Sequence, residues 1–196
     1  HETMGRVFLD IQPAATRPAK RTLGIGIAGS ELGEAELLAA QAAKELRKAG
    51  LTVAILSIDA EPSSPQGTLR RVSPAMLEKA IRKDTLLISI MYANNEIGTI
   101  QPITEIGRIA QQHKIPLHTD ACQAGMLDLN VKKLGVNLLS LNSSKLYGPK
   151  DCAILYRQHD IALVPLFHGG GQEFGLRSGT ENVPGIVGFA AALELT

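Results

Sequence analysis

Three polar clusters in this 196-residue sequence stand where strand-like runs end: Asn94-Asn95-Glu96, Asp120 with Gln123 three residues on, and Ser144-Lys145. Any one of them means little, because polar residues at strand ends usually open turns or cap helices. Their recurrence after three successive strands is more telling, since ligands of open α/β sheets sit beyond the carboxyl ends of the strands. The chemistry on offer is specific. A lysine amine condenses with an aldehyde, and a carboxylate keeps a pyridine nitrogen protonated. Pyridoxal phosphate carries both partners, and its ring then draws electrons from a substrate carbon. An ordinary ion pair, or a solvated Lys145 beside a capping Asp120, uses the same two residues, and residue types alone favour that plainer arrangement.

The elements that must position these side chains follow from hydrophobic periodicity. Residues 34–49 carry Ala35, Leu38, Ala39, Ala42 and Leu46 on one helical face, and Gly50 is a natural stop. Residues 51–58 read as a strand. Ser73-Pro74 opens a helix to about Lys83, as cap and first-turn residue. Residues 85–92 (TLLISIMY) are nearly continuously apolar, which predicts a strand covered on both faces. Pro102 and Thr104 open a further helix to about His113. Strands are expected over 115–120 and 138–142, then a closing pair over 153–156 and 161–166. A glycine-rich stretch, 169–182, leads into an apolar helix over 183–195. This alternation predicts an α/β architecture with a mainly parallel sheet and no internal repeat.

Composition bounds the rest. Lys and Arg number 20 against 19 Asp and Glu, a formal charge of +1, so no basic field recommends a nucleic-acid surface. Three Tyr, four Phe and no Trp are too few for base-stacking platforms. Hydrophobic residues at 44% and charged residues at 20% exclude a disordered chain. Charged residues interrupt every apolar run before it reaches membrane-spanning length, and no signal-peptide pattern opens the chain. Cys122 and Cys152 make neither a zinc pattern nor a disulfide framework. No metal site and no membrane or nucleic-acid partner is expected, and a reducing cytoplasm is the expected location.

Four motifs add a resemblance. SIMYANNEIGTIQPI (89–103), HTDACQA (118–124), SSKLYGPK (143–150) and HGGGQEFGLRSGTENVPGIVGF (168–189) resemble, in order and spacing, the cysteine desulfurases of the NifS/IscS kind. These belong to the class V aminotransferase group of fold type I pyridoxal-phosphate enzymes. A weaker likeness reaches upstream through residues 71–85 to about Lys44.

The resemblance implies a three-layer α/β sandwich of the large-domain type over residues 31–196, preceded by a divergent segment, 1–30. It implies conversion of L-cysteine to L-alanine, with sulfur passed to an acceptor protein for iron–sulfur cluster or thiolation pathways. Pyridoxal 5'-phosphate is the implied cofactor and a homodimer the implied assembly. By position, Lys145 matches the Schiff-base lysine and Asp120 the acid on the pyridine nitrogen. Gln123 matches the side chain on the cofactor's phenolic oxygen, with Asn95 near the same edge. Asn142 and Ser144 stand in the loop that touches the phosphate, and Thr180 matches a threonine that reaches the phosphate of the partner subunit.

The sequence also departs from the family pattern. Ser144 stands where a histidine is usual, and Asp151 and Ala153 replace glycines. The upstream phosphate loop has only Gly29-Ser30-Glu31 as a weak imitation, and the ring-stacking histidine is missing near Glu36. The family's mobile catalytic cysteine matches neither Cys122 nor Cys152, so the expectation is of a shortened chain incomplete for sulfur transfer. A selenocysteine lyase, another class V aminotransferase relative, or a non-catalytic dimerisation scaffold are the competing expectations.

Overall fold

The computed structural model describes residues 22–27, 52–57, 71–95 and 98–196. In chain order these form β1 (Thr22–Ile27), β2 (Thr52–Ser57), α1 (Pro74–Ala80), β3 (Ile88–Met91), α2 (Ile103–Gln112), β4 (Leu117–Asp120), α3 (Val131–Leu134) and β5 (Leu138–Asn142). A 3-10 turn (Ser143–Leu146), β6 (Ala153–Arg157), a second 3-10 turn (Glu173–Gly175) and α4 (Val183–Leu195) complete the chain.

Strands β3, β4 and β5 run parallel, and β6 closes the edge antiparallel to β5. Strands β1 and β2 pair in parallel, Thr22 opposite Thr52, and β1 lies beside β3. Parallel neighbours need crossovers, and α2 and α3 supply them between β3, β4 and β5. The architecture is therefore α/β with a mainly parallel sheet, as the alternation of patterns predicts.

Side chains alternate across the strands and give the sheet two unlike faces. Ile88, Ile90, Leu117, Thr119, Leu139 and Leu141 are buried on one face. Helix α2 packs against β4 and presents Ile103, Ile106, Ile109 and Ala110, at helical spacing, to the same core. The opposite face carries Ser89, Met91, His118, Ser140 and Asn142, all half-buried, and ends in the exposed Asp120. Residues 85–92 were expected to be covered on both faces, yet the strand spans only Ile88–Met91 and its burial alternates.

Three further differences have local causes. The sequence reading places no strand over 22–27, but β1 lies there, inside the segment 1–30. Its alternating glycines (TLGIGI) hide the β signal, since glycine weakens a strand's apparent propensity. The strand expected over 161–166 does not form. Arg157 donates to the carbonyls of His159 and Ile161, at 3.1 and 2.6 Å, and Ile161 N donates to Gln158 O at 3.0 Å. The chain is thereby bent away from β6, and Pro165 lacks a ladder donor. The short helix α3 was also unanticipated. Asn130 caps it by accepting from Lys132 N and Lys133 N, and Gly135 closes it at φ 70°. The helix expected over 34–49, together with Gly29, Ser30 and Glu36, lies outside the described residues.

Asp151, expected to replace a glycine, adopts φ 62°, whereas Ala153 lies within β6 and has no positive φ. A left-handed backbone strains any residue with a Cβ, although Asp tolerates it better than most. We expect Asp151→Gly to stabilise the fold by a few tenths to about 1 kcal/mol, read as a rise in the urea midpoint. A lower midpoint would show that the Asp151 side chain contributes more than its backbone costs.

Candidate active site

Asp120 is the last residue of β4, and its strand neighbours fix where it sits. Tyr92 N donates to Asp120 O at 2.7 Å from the end of β3, and Ala121 N donates to Ser140 O at 2.9 Å on β5. One carboxylate oxygen of Asp120 accepts from Cys122 N at 3.0 Å. The half-buried Cys122 thiol donates to the same carboxylate. Its pKa is pushed up to about 12, first by burial, then by the hydrogen bond to Asp120 and its charge, while Lys145 pulls the other way. Asp120 ends β4, and Lys145 lies in the turn after the neighbouring strand β5.

Lys145 lies in the 3-10 turn that follows β5. Asn142, the last residue of β5, caps this turn by accepting from Ser144 N at 2.9 Å and from Ser144 Oγ at 2.7 Å. Tyr147 ends it at φ 60°. Lys145 and Ser144 are exposed, so the turn holds an amine and a hydroxyl in solvent beyond the carboxyl end of the sheet. Gln123 is exposed in the turn after β4. Asn95 is exposed in the loop after β3, where an isolated bridge pairs Ala93 with Ile100 and Asn94 N donates to Thr99 O at 2.9 Å. All three loops rise from the same end of parallel strands. Thr180 is exposed in the separate segment before α4. That segment is organised by Gly179 N donating to Gln172 Oε1 at 3.2 Å and Ser178 Oγ donating to Phe167 O at 3.0 Å.

Sequence reasoning missed one feature of this face. His118, two residues before Asp120, is hydrogen-bonded through Nδ1 to Ser89 Oγ at 2.8 Å and through Nε2 to Ser140 Oγ at 2.9 Å. Burial lowers its pKa below the ordinary value near 6.5, against the smaller pull of Asp120. The signal was the period-two rule, which puts His118 and Asp120 on one face of β4, but the serine partners depend on strand register. Among the described residues no group of three His, Cys, Asp or Glu could hold a metal ion, and no helix is long and apolar enough to cross a membrane.

Residues 31–196 match the Aminotransferase class-V family. The chain belongs to that family. Within it, the chain is similar to the cysteine desulfurase IscS of Methanosarcina thermophila, with 58% identity over 125 residues that cover 63% of this chain and 31% of the relative. The IscS of Dictyoglomus turgidum is 49% identical over 151 residues, 76% of this chain and 36% of the relative. A solved structure described as SspA in complex with cysteine superposes with a TM-score of 0.74 at 39% identity, over 89% of this chain and 47% of that one. The chain thus spans about a third of the length of these curated relatives.

The class-V family depends on pyridoxal phosphate, and the donor set at the strand ends fits that group. It offers a carboxylate already anchored by a backbone N–H, with lone pairs left for a ring N–H, and an exposed amine in the turn after the neighbouring strand. The fit is less direct for Ser144, whose hydroxyl proton is engaged by Asn142 and must turn before it can donate to a phosphate.

Two outcomes test the electrostatics. At about pH 8 a thiol with a pKa near 12 is almost wholly protonated. Cys122 should therefore alkylate on the order of 10³-fold more slowly than an ordinary cysteine, and Asp120→Asn should speed it, as read by mass spectrometry of the labelled peptide. Ordinary reactivity would contradict this placement. For His118, the unfolded chain binds its proton first as pH falls through about 6.5, so the stabilisation is fully present above that pH and declines below it. The urea midpoint should thus drop more between about pH 8 and pH 5.5 in the wild type than in His118→Gln.

Proposed function

We propose that this chain forms the cofactor-holding part of a cysteine desulfurase that converts L-cysteine to L-alanine and passes the sulfur to an acceptor. The observation that carries the reading is that Asp120 ends β4 and Lys145 lies in the capped turn directly after β5, so that an acid and an amine stand beyond the carboxyl ends of two paired parallel strands. Its residues match the family pattern where a pyridoxal-phosphate site needs an acid and an amine.

When bound, pyridoxal phosphate supplies an aldehyde to the lysine amine and an electron-withdrawing ring to the substrate carbon. Asp120 would hold a proton on the ring nitrogen, with its carboxylate oriented by the bond from Cys122 N. Lys145 Nζ would take the proton from the substrate α-carbon and give one to the β-carbon, which keeps the electron pair of the C–S bond when an acceptor thiolate bonds to the substrate sulfur. By the family resemblance, Gln123 and Asn95 would hold the edge of the ring that bears its oxygen, and Asn142 and Ser144 would hold the phosphate. The thiol that accepts the sulfur must be a ready nucleophile. Cys122 does not fit that task, because its protonation persists to about pH 12. Cys152 packs half-buried against the core.

The assembly in this reading is a homodimer in which Thr180 serves the partner subunit's phosphate. Supporting it, Thr180 stands exposed in a segment that also exposes Phe174, 99% accessible, with Val183 and Val187 exposed on the adjoining α4. Two free cysteines agree with a reducing cytoplasm.

Adding pyridoxal 5'-phosphate to the chain should give a visible absorption band, and borohydride reduction should leave the cofactor's mass on Lys145. Lys145→Ala should abolish both signals. A wild type with no band, or an adduct on other lysines that survives the substitution, would overturn the reading.

A further inference from the structure

The three strands that carry the site are short, and β4 and β5 are in register at only three positions, His118 with Leu138, Thr119 with Leu139 and Asp120 with Ser140. Parallel pairing is the weaker kind, and a slip would change the separation of Asp120 from the turn bearing Lys145. Side chains on the half-buried face brace this ladder. Ser89 sits directly opposite His118 on β3 and contacts its Nδ1, 2.8 Å away. On the other side His118 does not bond to a group on its register partner Leu138. Its Nε2 reaches diagonally to Ser140 Oγ, two residues further along β5 and directly opposite Asp120, at 2.9 Å. A diagonal bond of this kind is broken by a slip along the strand, so it adds a side-chain tie to a ladder of only three register pairs.

The bracing leads to the lysine. Ser140 is two residues before Asn142 on the same face of β5, and Asn142 caps the turn that carries Ser144 and Lys145. A neutral imidazole has one donor and one acceptor, so the Ser89–His118–Ser140 chain has a direction, with one hydroxyl donating and the other accepting. His118 itself points at no described reacting group, and its role is exerted through the strands.

We propose that His118 is a positioning residue, a hydrogen-bonded strut across β3, β4 and β5 that sets the distance between Asp120 and Lys145. The proposal rests on the reading of that pair as a pyridoxal-phosphate site. It is tested by spectrophotometric titration of the chain with pyridoxal 5'-phosphate, comparing the wild type with His118→Phe, His118→Gln and Ser140→Ala. His118→Phe and Ser140→Ala should each weaken cofactor binding about tenfold and shift the pH midpoint of the bound cofactor's absorption band, the scale of roughly one lost hydrogen bond. His118→Gln, whose amide still offers a donor and an acceptor, should stay within about threefold of wild type. Unchanged affinity and midpoint in both disruptive variants would overturn the strut.

Nitrogen-15 NMR of histidine-labelled chain without cofactor provides an independent arm. A single neutral tautomer of His118 with a slowly exchanging N–H, lost in Ser140→Ala, supports the strut. Titration near the ordinary value with rapid exchange overturns it. If the wild type takes up no cofactor, the reading of the site fails, and the NMR arm still decides whether the strut exists.

Discussion

Groups placed at the ends of neighbouring strands keep their spacing only while those strands keep their register, and this constraint underlies the candidate site. Asp120 ends β4 and Lys145 lies in the capped turn after β5, so their separation depends on the register of the sheet and on that turn. The sheet is held at this end from both sides. Tyr92 N reaches Asp120 O from β3, and Ser143 N reaches Cys152 O, at 3.0 Å, just before β6. The lysine turn is packed from beyond as well. A Cβ on Gly148 would meet Ser143 Oγ at 2.4 Å and Ala192 Cβ of α4 at 3.0 Å, so only glycine lets the chain pass between them. An exposed amine is thereby carried by a buried, closely packed support, the arrangement expected where a flexible side chain must return to one place.

The same logic accounts for the two faces of the sheet. The buried face is largely apolar and seats α2, and the Thr119 hydroxyl buried on it donates to Ile90 O at 2.9 Å. The site face pairs its polar groups laterally, serine to histidine to serine, so that little hydrogen-bonding capacity is stranded where water is thin. Among the departures from the family pattern, Ser144 is accommodated by its bond to Asn142. Asp151 holds a left-handed backbone conformation that a glycine adopts more easily.

Much of this was legible in the sequence because it rests on local rules. Strand β5, helix α4 and the opening of α1 at Ser73-Pro74 coincide with runs and caps that any apolar pattern displays. That Asp120 and Lys145 stand beyond adjacent strand ends was legible from the strand pattern, whereas their expected role as a cofactor pair came from the resemblance of the motifs. What escaped depended on partners distant in sequence. The glycines of β1 carry no strand signal until β2 pairs with them. The run 161–166 has strand-like residues, but Arg157 bends the chain away first. His118 looks like an ordinary strand residue until register sets Ser89 and Ser140 on either side of it. The high pKa of Cys122 follows only from its burial next to Asp120.

The central claim is that Asp120 and Lys145 address one pyridine ring. Nitrogen-15 NMR of the chain loaded with ring-labelled pyridoxal 5'-phosphate reads it most directly, through the protonation state of the ring nitrogen. The account predicts a protonated nitrogen at mildly alkaline pH in the wild type and an unprotonated one in Asp120→Ala, with the cofactor still attached to Lys145. An unprotonated nitrogen in the wild type, or a protonated one that persists without the carboxylate, would contradict it.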